Sequence, residues 1–206
     1  VVDAAQSVGS IPVDASLCDL LAFSGHKGLL APTGSGGLYV TPGLDLAPTI
    51  VGGTGARSED EAPPLELPGA LEAGTPNAMA YAALLPALRW IEDQGGPAAL
   101  HARIAPLYAK LADGLSSLPG VKLYSAGEEQ DLPVLSFTVA GWEPGELAMT
   151  LEAAGGLALR AGLHCAPRAH RRLGTLAGGT LRAGLGPTTT AETVERALET
   201  LGAVLG

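Results

Sequence analysis

The sequence predicts an α/β fold, with a remnant of a larger sheet domain followed by a small C-terminal α+β domain. Short apolar strands alternate with amphipathic helices along the chain, which is the pattern of α/β proteins. The composition is 47% hydrophobic and 16% charged, which excludes a disordered chain. The length of 206 residues suffices for one large domain or two small ones.

The N-terminal half is predicted to begin with strands and to end in a long helix. The strands are Val1–Asp3, Asp19–Phe23 and Gly36–Thr41, bounded by turn-forming residues. Thr75 as N-cap and Pro76 at the first helical position predict a helix that runs to Asp93.

A long irregular stretch, residues 48–74, precedes this helix. It carries the GGTG segment at residues 52–55 and an acidic run, Glu59–Glu61, which we interpret as solvated. A structureless connection of roughly 25 residues is uncommon inside a compact domain. We therefore expect a functional loop here.

The segment Gly95-Gly96-Pro97 breaks the helical pattern, and we place a domain boundary there, between residues 1–95 and 96–206. A second helix continues to Leu118, and Thr190 is predicted to cap the last helix. The remaining predicted elements are strands at Val121–Tyr124, Pro133–Val139, Leu157–Arg160 and Thr180–Leu185, and helices at Pro144–Ala154 and Ala191–Leu205.

Charge and cysteine content exclude several classes of function. The formal net charge of −9 leaves no basic surface for nucleic acid or anionic lipid. No apolar run approaches the ~20 residues of a membrane span. The only cysteines are Cys18 and Cys165, too few for a disulfide scaffold, so we expect a soluble cytoplasmic protein. Because the chain opens at Val1 on a strand, we also expect the C-terminal part of a longer protein.

The first candidate site combines Asp3 and Gln6 with the segment Ser24-Gly25-His26-Lys27. Asp3 and Lys27 are 24 residues apart, about one strand–crossover–strand unit. If both strands are parallel, the acid and the amine emerge at one carboxyl edge, where a flat ring could bridge them. A lysine in a polar surface turn is the ordinary alternative, and spacing alone leaves both open.

The second candidate site is the loop from Arg160 through His164 to Cys165 and Pro167. Nearby cations stabilise a thiolate, and Pro167 is expected to open a short helix whose dipole acts in the same direction. A single cysteine can also be a small buried hydrophobe, which is our interpretation of Cys18.

Arg182 lies within the apolar strand segment TLRAGL, where a charge needs a partner such as a bidentate carboxylate. Arg160 either supports Arg182 or forms an internal salt bridge. His164 either assists proton transfer or simply packs. Four further basic residues lie on predicted helical segments, and we interpret them as solvated surface: His101, His170, Arg171 and Arg172.

Six segments together resemble the class V aminotransferase family of fold-type I pyridoxal phosphate enzymes. They occur in the same order over nearly the whole chain, and the similarity is greatest to cysteine desulfurases and selenocysteine lyases. The segments are VDAAQSVGSIPVD, CDLLAFSGHKGLLAPTGSGGLYV, GGTG, EAGTPN, RAGLHCAP and GTLRAGLG. The resemblance implies that residues 1–95 are part of a large pyridoxal-phosphate-binding domain.

The resemblance also implies roles in binding pyridoxal phosphate. Lys27 would attach the cofactor covalently, Asp3 would pair with the pyridine nitrogen, and Gln6 would bind the ring hydroxyl. Ser24 and His26 match positions that bind the phosphate. Thr75 matches a residue that reaches the phosphate of the other subunit of a homodimer, although a simple helix cap explains Thr75 equally well.

The implied activity is cysteine desulfuration. Cys165 would receive sulfur from L-cysteine as a persulfide, and L-alanine would leave. The sulfur would then pass to an acceptor protein of iron–sulfur assembly. Arg182 would bind the substrate carboxylate, with Arg160 and His164 beside it. No metal is implied. A selenocysteine lyase, another β-lyase or an aminotransferase remains open, as does a non-catalytic or dimerisation fragment.

Overall fold

The computed structural model describes residues 1–53, 64, 66–124 and 132–206. The acidic run Glu59–Glu61 and the second half of the GGTG segment lie outside these residues. The described part forms two compact units, Val1–Gln94 and Gly95–Gly206. The strands are β1 (Val2–Asp3), β2 (Leu20–Ser24), β3 (Gly36–Val40), β4 (Val121–Leu123), β5 (Val134–Val139), β6 (Arg160–Gly162) and β7 (Thr180–Gly184). The helices are α1 (Ala78–Asp93), α2 (Gly96–Ser117), α3 (Pro144–Gly155), α4 (Pro167–Leu173) and α5 (Ala191–Leu205).

The first unit contains a three-stranded sheet with the order β1-β2-β3. β1 and β2 are parallel, with Asp3 opposite Ala22, whereas β3 runs antiparallel to β2. Short 3-10 turns occur at Ala15–Leu17 and Gly69–Leu71, so the stretch predicted as irregular contains one turn of helix. The mixed α/β class predicted from the alternation of elements is confirmed.

Asn77, not Thr75, caps α1. The Asn77 side-chain oxygen accepts a hydrogen bond from the Ala80 backbone N–H at 3.2 Å. The helix begins at Ala78, two residues later than predicted, so Thr75 and Pro76 both lie before it. The prediction of Thr75 as N-cap was wrong, although the helix ends at Asp93 as predicted.

The second unit contains a four-stranded antiparallel sheet with the order β4-β5-β7-β6. Leu135 and Phe137 of β5 and Leu181 of β7 point to one face and are at most 1% exposed. That face packs against apolar residues of α2, α3 and α5, which makes it the core of the unit. α5 is capped by Thr190 as predicted, since its hydroxyl accepts a hydrogen bond from the Thr193 N–H.

β6 lies three residues later than the strand predicted at Leu157–Arg160. α3 ends at Gly155 and is capped by Gly156, which has a φ of 66°, and Leu157 and Leu159 then pack against the core. Strand pairing starts only at Arg160, which lies opposite Arg182 of β7. The apolar run was misassigned because its side chains serve core packing and make no ladder.

None of the helices in the described ranges is long and apolar enough to cross a membrane.

Candidate active site

Asp3 and Lys27 follow the carboxyl ends of two neighbouring parallel strands. Asp3 is the last residue of β1, and Lys27 comes three residues after the end of β2. The parallel pairing of neighbouring strands on which the predicted site depends is therefore present. Asp3 is exposed, and one of its carboxylate oxygens accepts a hydrogen bond from the Ala5 N–H at 3.0 Å. Its second oxygen has no hydrogen bond within the described residues.

The turn that carries Lys27 is held by backbone hydrogen bonds. The Gly25 N–H donates to the Ser35 carbonyl and the Ala31 N–H donates to the Gly25 carbonyl, both at 2.9 Å. A Cβ at Gly25 would lie 2.1 Å from the buried Ser35 hydroxyl oxygen, so this position requires glycine. Lys27 itself is half-buried and forms no salt bridge with a carboxylate in the part of the chain that the structure describes.

A backbone contact between Gly9 and Gly28 joins the two halves of this edge. A Cβ built on Gly9 would lie 2.4 Å from the Gly28 carbonyl, and one built on Gly28 would lie 2.4 Å from the Val8 carbonyl oxygen. Such close approach is possible only without side chains. It fixes the residue after Lys27 against the segment that follows Asp3, and sequence reasoning missed it because glycine content alone does not indicate which glycines meet.

The other residues predicted for this site are placed in the same unit. Ser24 is half-buried at the end of β2, whereas Gln6, His26 and Thr75 are exposed. Gln6 lies in the turn that starts at Asp3, so the acid, the amide, the hydroxyl and the amine follow one sheet edge. Thr75 lies before α1, and no hydrogen bond of its hydroxyl is described.

Cys165 lies in the loop between β6 and α4, and its thiol is free and exposed. Its sulfur is 4.0 Å from an Arg160 guanidinium nitrogen. His164 and Cys165 both have positive φ, 51° and 61°. For residues other than glycine, each such conformation costs of order 1–3 kcal/mol and persists only where the surroundings enforce it. A hydrogen bond of 3.0 Å between His164 Nε2 and the Arg160 carbonyl is one of these restraints.

The surroundings of Cys165 are strongly positive. Arg160 lies opposite Arg182 in the ladder between β6 and β7. Burial, with the Arg160 charge second, lowers the pKa of Arg182, while Cys165 acts in the opposite direction. Neither arginine pairs with a carboxylate among the described residues. Two unpaired guanidinium groups beside a thiol make a site that attracts an anion.

Burial favours the neutral form of the His164 imidazole. Its pKa lies below 6.5 because burial, together with the positive charges of Arg182 and Arg160, disfavours the protonated ring. In the neutral ring, Nε2–H donates to the Arg160 carbonyl, so Nδ1 keeps its lone pair. His164 can therefore accept a proton.

Comparison with known proteins shows the family of the chain. The family described as Aminotransferase class-V matches residues 1–197. The chain belongs to this family. It is 40% identical over 186 residues to a probable cysteine desulfurase of Mycolicibacterium paratuberculosis, covering 84% of this chain and 26% of that protein. It is 37% identical over 214 residues to the cysteine desulfurase CsdA of Escherichia coli, covering 97% of this chain and 51% of CsdA.

Solved structures show the same likeness. A crystal structure of E. coli CsdA in an S-sulfonic acid form matches with a TM-score of 0.86 and 32% identity, covering 98% of this chain and 50% of CsdA. The cystine C–S lyase C-DES, in complex with its reaction product cysteine persulfide, matches with a TM-score of 0.76 and 28% identity. This class V chain thus spans about half the length of CsdA and C-DES, and 26% of the mycobacterial relative.

The structure corrects one prediction about basic residues near the loop that carries Cys165. His170 is buried, with 5% of its surface exposed, and its Nδ1 lies 2.8 Å from the Thr175 hydroxyl. His101 is half-buried, whereas Arg171 and Arg172 are exposed as predicted. His170 is the only buried residue of α4, and the Thr175 hydroxyl satisfies its polar ring.

Cys18 differs from Cys165. It is half-buried after the turn at Ala15–Leu17, and its thiol donates to the Ala15 carbonyl at 3.5 Å. This local contact agrees with the interpretation of Cys18 as a structural residue.

Proposed function

We propose that the protein is a pyridoxal-phosphate-dependent cysteine desulfurase, which converts L-cysteine to L-alanine and carries the sulfur on Cys165. The observation that carries the proposal is the free thiol of Cys165 beside Arg160 and Arg182, neither of which has a described carboxylate partner. In this proposal, residues 1–95 are part of the large cofactor-binding domain and residues 96–206 are the small domain.

The donors of the first unit fit pyridoxal phosphate. One carboxylate oxygen of Asp3 has no hydrogen bond among the described residues and would pair with a protonated pyridine nitrogen. Lys27, in the turn after the neighbouring strand β2, would supply the amine that attaches the aldehyde. Gln6 would bind the ring hydroxyl, and Ser24 and His26 would bind the phosphate. Across a homodimer, Thr75 would reach the phosphate of the other subunit.

Lys27 also has a role once substrate is bound. When its amine is released, it accepts the proton from the substrate α-carbon as general base. When bound, pyridoxal phosphate would supply an electron sink for the reaction at that carbon. The Asp3 carboxylate would favour the protonated form of the pyridine nitrogen.

Arg182, with Arg160, binds the substrate carboxylate through a bidentate contact. The Cys165 thiolate attacks the substrate sulfur. An S–S bond forms, the substrate C–S bond breaks, and its electron pair returns to the carbon, which gives alanine after protonation. Neutral His164 accepts the Cys165 proton before the attack. The sulfur then passes to an acceptor protein of iron–sulfur assembly, and we propose a cytoplasmic location for this transfer.

Replacing Cys165 with serine tests the proposal, and replacing Cys18 with serine is the matched control. We expect C165S to lose alanine production from L-cysteine while the visible absorbance of bound pyridoxal phosphate is unchanged, and C18S to keep both. Full activity of C165S would contradict the proposal. It would favour an enzyme that needs no thiol, such as a C–S lyase or an aminotransferase. Comparing alanine production from cysteine with that from selenocysteine distinguishes a cysteine desulfurase from a selenocysteine lyase.

A further inference from the structure

A buried polar pair lies beneath the loop that carries Cys165. His170 of α4 is 5% exposed, Thr175 is 9% exposed, and the imidazole Nδ1 is 2.8 Å from the threonine hydroxyl. The Thr175 N–H also donates to the His170 carbonyl at 2.9 Å. Both ends of the pair are thus tied to each other, which fixes the His170 ring.

The fixed His170 ring lies against the ring of His164. The two ring centroids are 5.8 Å apart, and the planes are inclined by 42°. His164 in turn is bonded through Nε2 to the Arg160 carbonyl. A continuous path of contacts therefore runs from buried Thr175 to the strand that holds Arg160.

This path of contacts leads to the strained part of the loop backbone, at His164 and Cys165. His164 and Cys165 are consecutive residues with positive φ, a conformation that side chains oppose. Their conformation places the Cys165 sulfur 4.0 Å from the Arg160 guanidinium. If the His164 ring lost its support, the loop could relax to negative φ and the sulfur would move away from the cation.

We propose that His170, held by Thr175, is a positioning residue for Cys165. It supports the ring of His164 and keeps the Cys165 loop in its left-handed conformation beside Arg160. The inference rests on the proposed function only in naming Cys165 as the sulfur acceptor, because the positioning itself concerns the resting thiol.

The test measures the thiol directly, without substrate. The full 206-residue chain is treated with iodoacetamide, and peptide mass spectrometry follows alkylation of Cys165 and Cys18 in the same samples. T175V removes the hydroxyl and keeps the ring, whereas H170F keeps a ring and removes the nitrogen. T180V is the matched control, since the Thr180 hydroxyl is buried without a hydrogen-bond partner among the described residues.

We expect Cys165 alkylation to slow about fivefold in T175V and in H170F, which corresponds to ~1 kcal/mol at 1.4 kcal/mol per factor of ten. Cys18 lies in the first unit, so its alkylation should stay at the wild-type rate and serves as the internal reference for the reagent. A cooperative thermal transition in each variant shows that the second unit is folded. T180V should leave both rates unchanged. Unchanged or faster Cys165 alkylation in folded T175V and H170F would overturn the proposal.

The double variant H170F/T175V separates positioning from packing. It removes both polar groups of the pair, whereas H170F leaves the buried Thr175 hydroxyl unpaired. Its thermal stability should therefore exceed that of H170F. Slow alkylation of Cys165 should persist in it, whereas recovery of the wild-type rate would show that His170 only packs. These results do not depend on turnover, so an active C165S variant would overturn the proposed function and leave this inference standing.

Discussion

Replacing Gly28 with alanine tests how the Lys27 turn is positioned. The added Cβ would lie 2.4 Å from the Val8 carbonyl oxygen, 2.6 Å from the Ser10 hydroxyl and 2.9 Å from the Ser10 nitrogen, whereas ordinary contact begins at 3.4 Å. Two of these atoms belong to the backbone and cannot rotate away. The two segments must therefore separate by about 1 Å, which for overpacking of this kind costs about 1–3 kcal/mol.

The separation moves Lys27 away from the segment that follows Asp3. If the lost free energy appears in cofactor binding, the dissociation constant of pyridoxal phosphate should rise about tenfold, at 1.4 kcal/mol per factor of ten. Titration followed by visible absorbance measures this constant. Chemical denaturation of the same samples should show a parallel fall in the free energy of unfolding.

Two further glycines provide controls. Gly43 has a φ of +85° with nothing within 4 Å of a built Cβ, so G43A introduces only backbone strain. That strain of ~1–2 kcal/mol is partly offset by the lower entropy of the unfolded chain, and cofactor binding should not change. Gly9 combines a φ of +85° with the backbone contact, so G9A should be at least as damaging as G28A. Wild-type cofactor affinity in G28A would refute the reasoning.

Three other predictions concern the second unit. T180V should raise the free energy of unfolding by about 1 kcal/mol, because it removes a buried hydroxyl without a described partner; a lower value in denaturation would contradict this. The exposed ion pair between Lys110 and Glu195 joins α2 to α5, and E195Q should change stability by less than ~1 kcal/mol, an effect that high salt abolishes. The pKa of His164 is lowered in the folded protein, so the unfolded state binds the proton more tightly and stability falls as pH drops below 6.5 toward the folded pKa. H164N should remove that part of the pH dependence, and an unchanged pH profile would count against a lowered pKa.

Local signals in the sequence were sufficient for most elements of the fold. Alternating apolar residues bounded by glycine and proline predicted the strands, and the parallel pair β1 and β2 has the arrangement expected from the spacing of Asp3 and Lys27. The errors occurred where tertiary structure decides between equal local choices. Thr75 and Asn77 are both good caps, and the helix begins after the second of them. The run Leu157–Leu159 is apolar enough for a strand but packs on the core instead.

The candidate site was predictable to a similar degree. Reactive side chains could be named from their type and from their neighbours in sequence, as for Cys165 beside His164. The Gly9–Gly28 contact and the burial of His170 depend on which segments meet after folding. No periodicity or spacing in the chain distinguishes those two features from ordinary loop glycines or a surface histidine.

The covalent attachment of pyridoxal phosphate provides the most direct measurement. The chain has three lysines, Lys27, Lys110 and Lys122, so a protein loaded with the cofactor, reduced with borohydride and digested has few possible labelled peptides. Mass spectrometry should find the phosphopyridoxyl group on Lys27, and D3A should lower the yield of that peptide. Labelling confined to Lys110 or Lys122, or no labelling of a folded sample, would contradict the assignment of the sheet edge at Asp3 and Lys27 as the cofactor site.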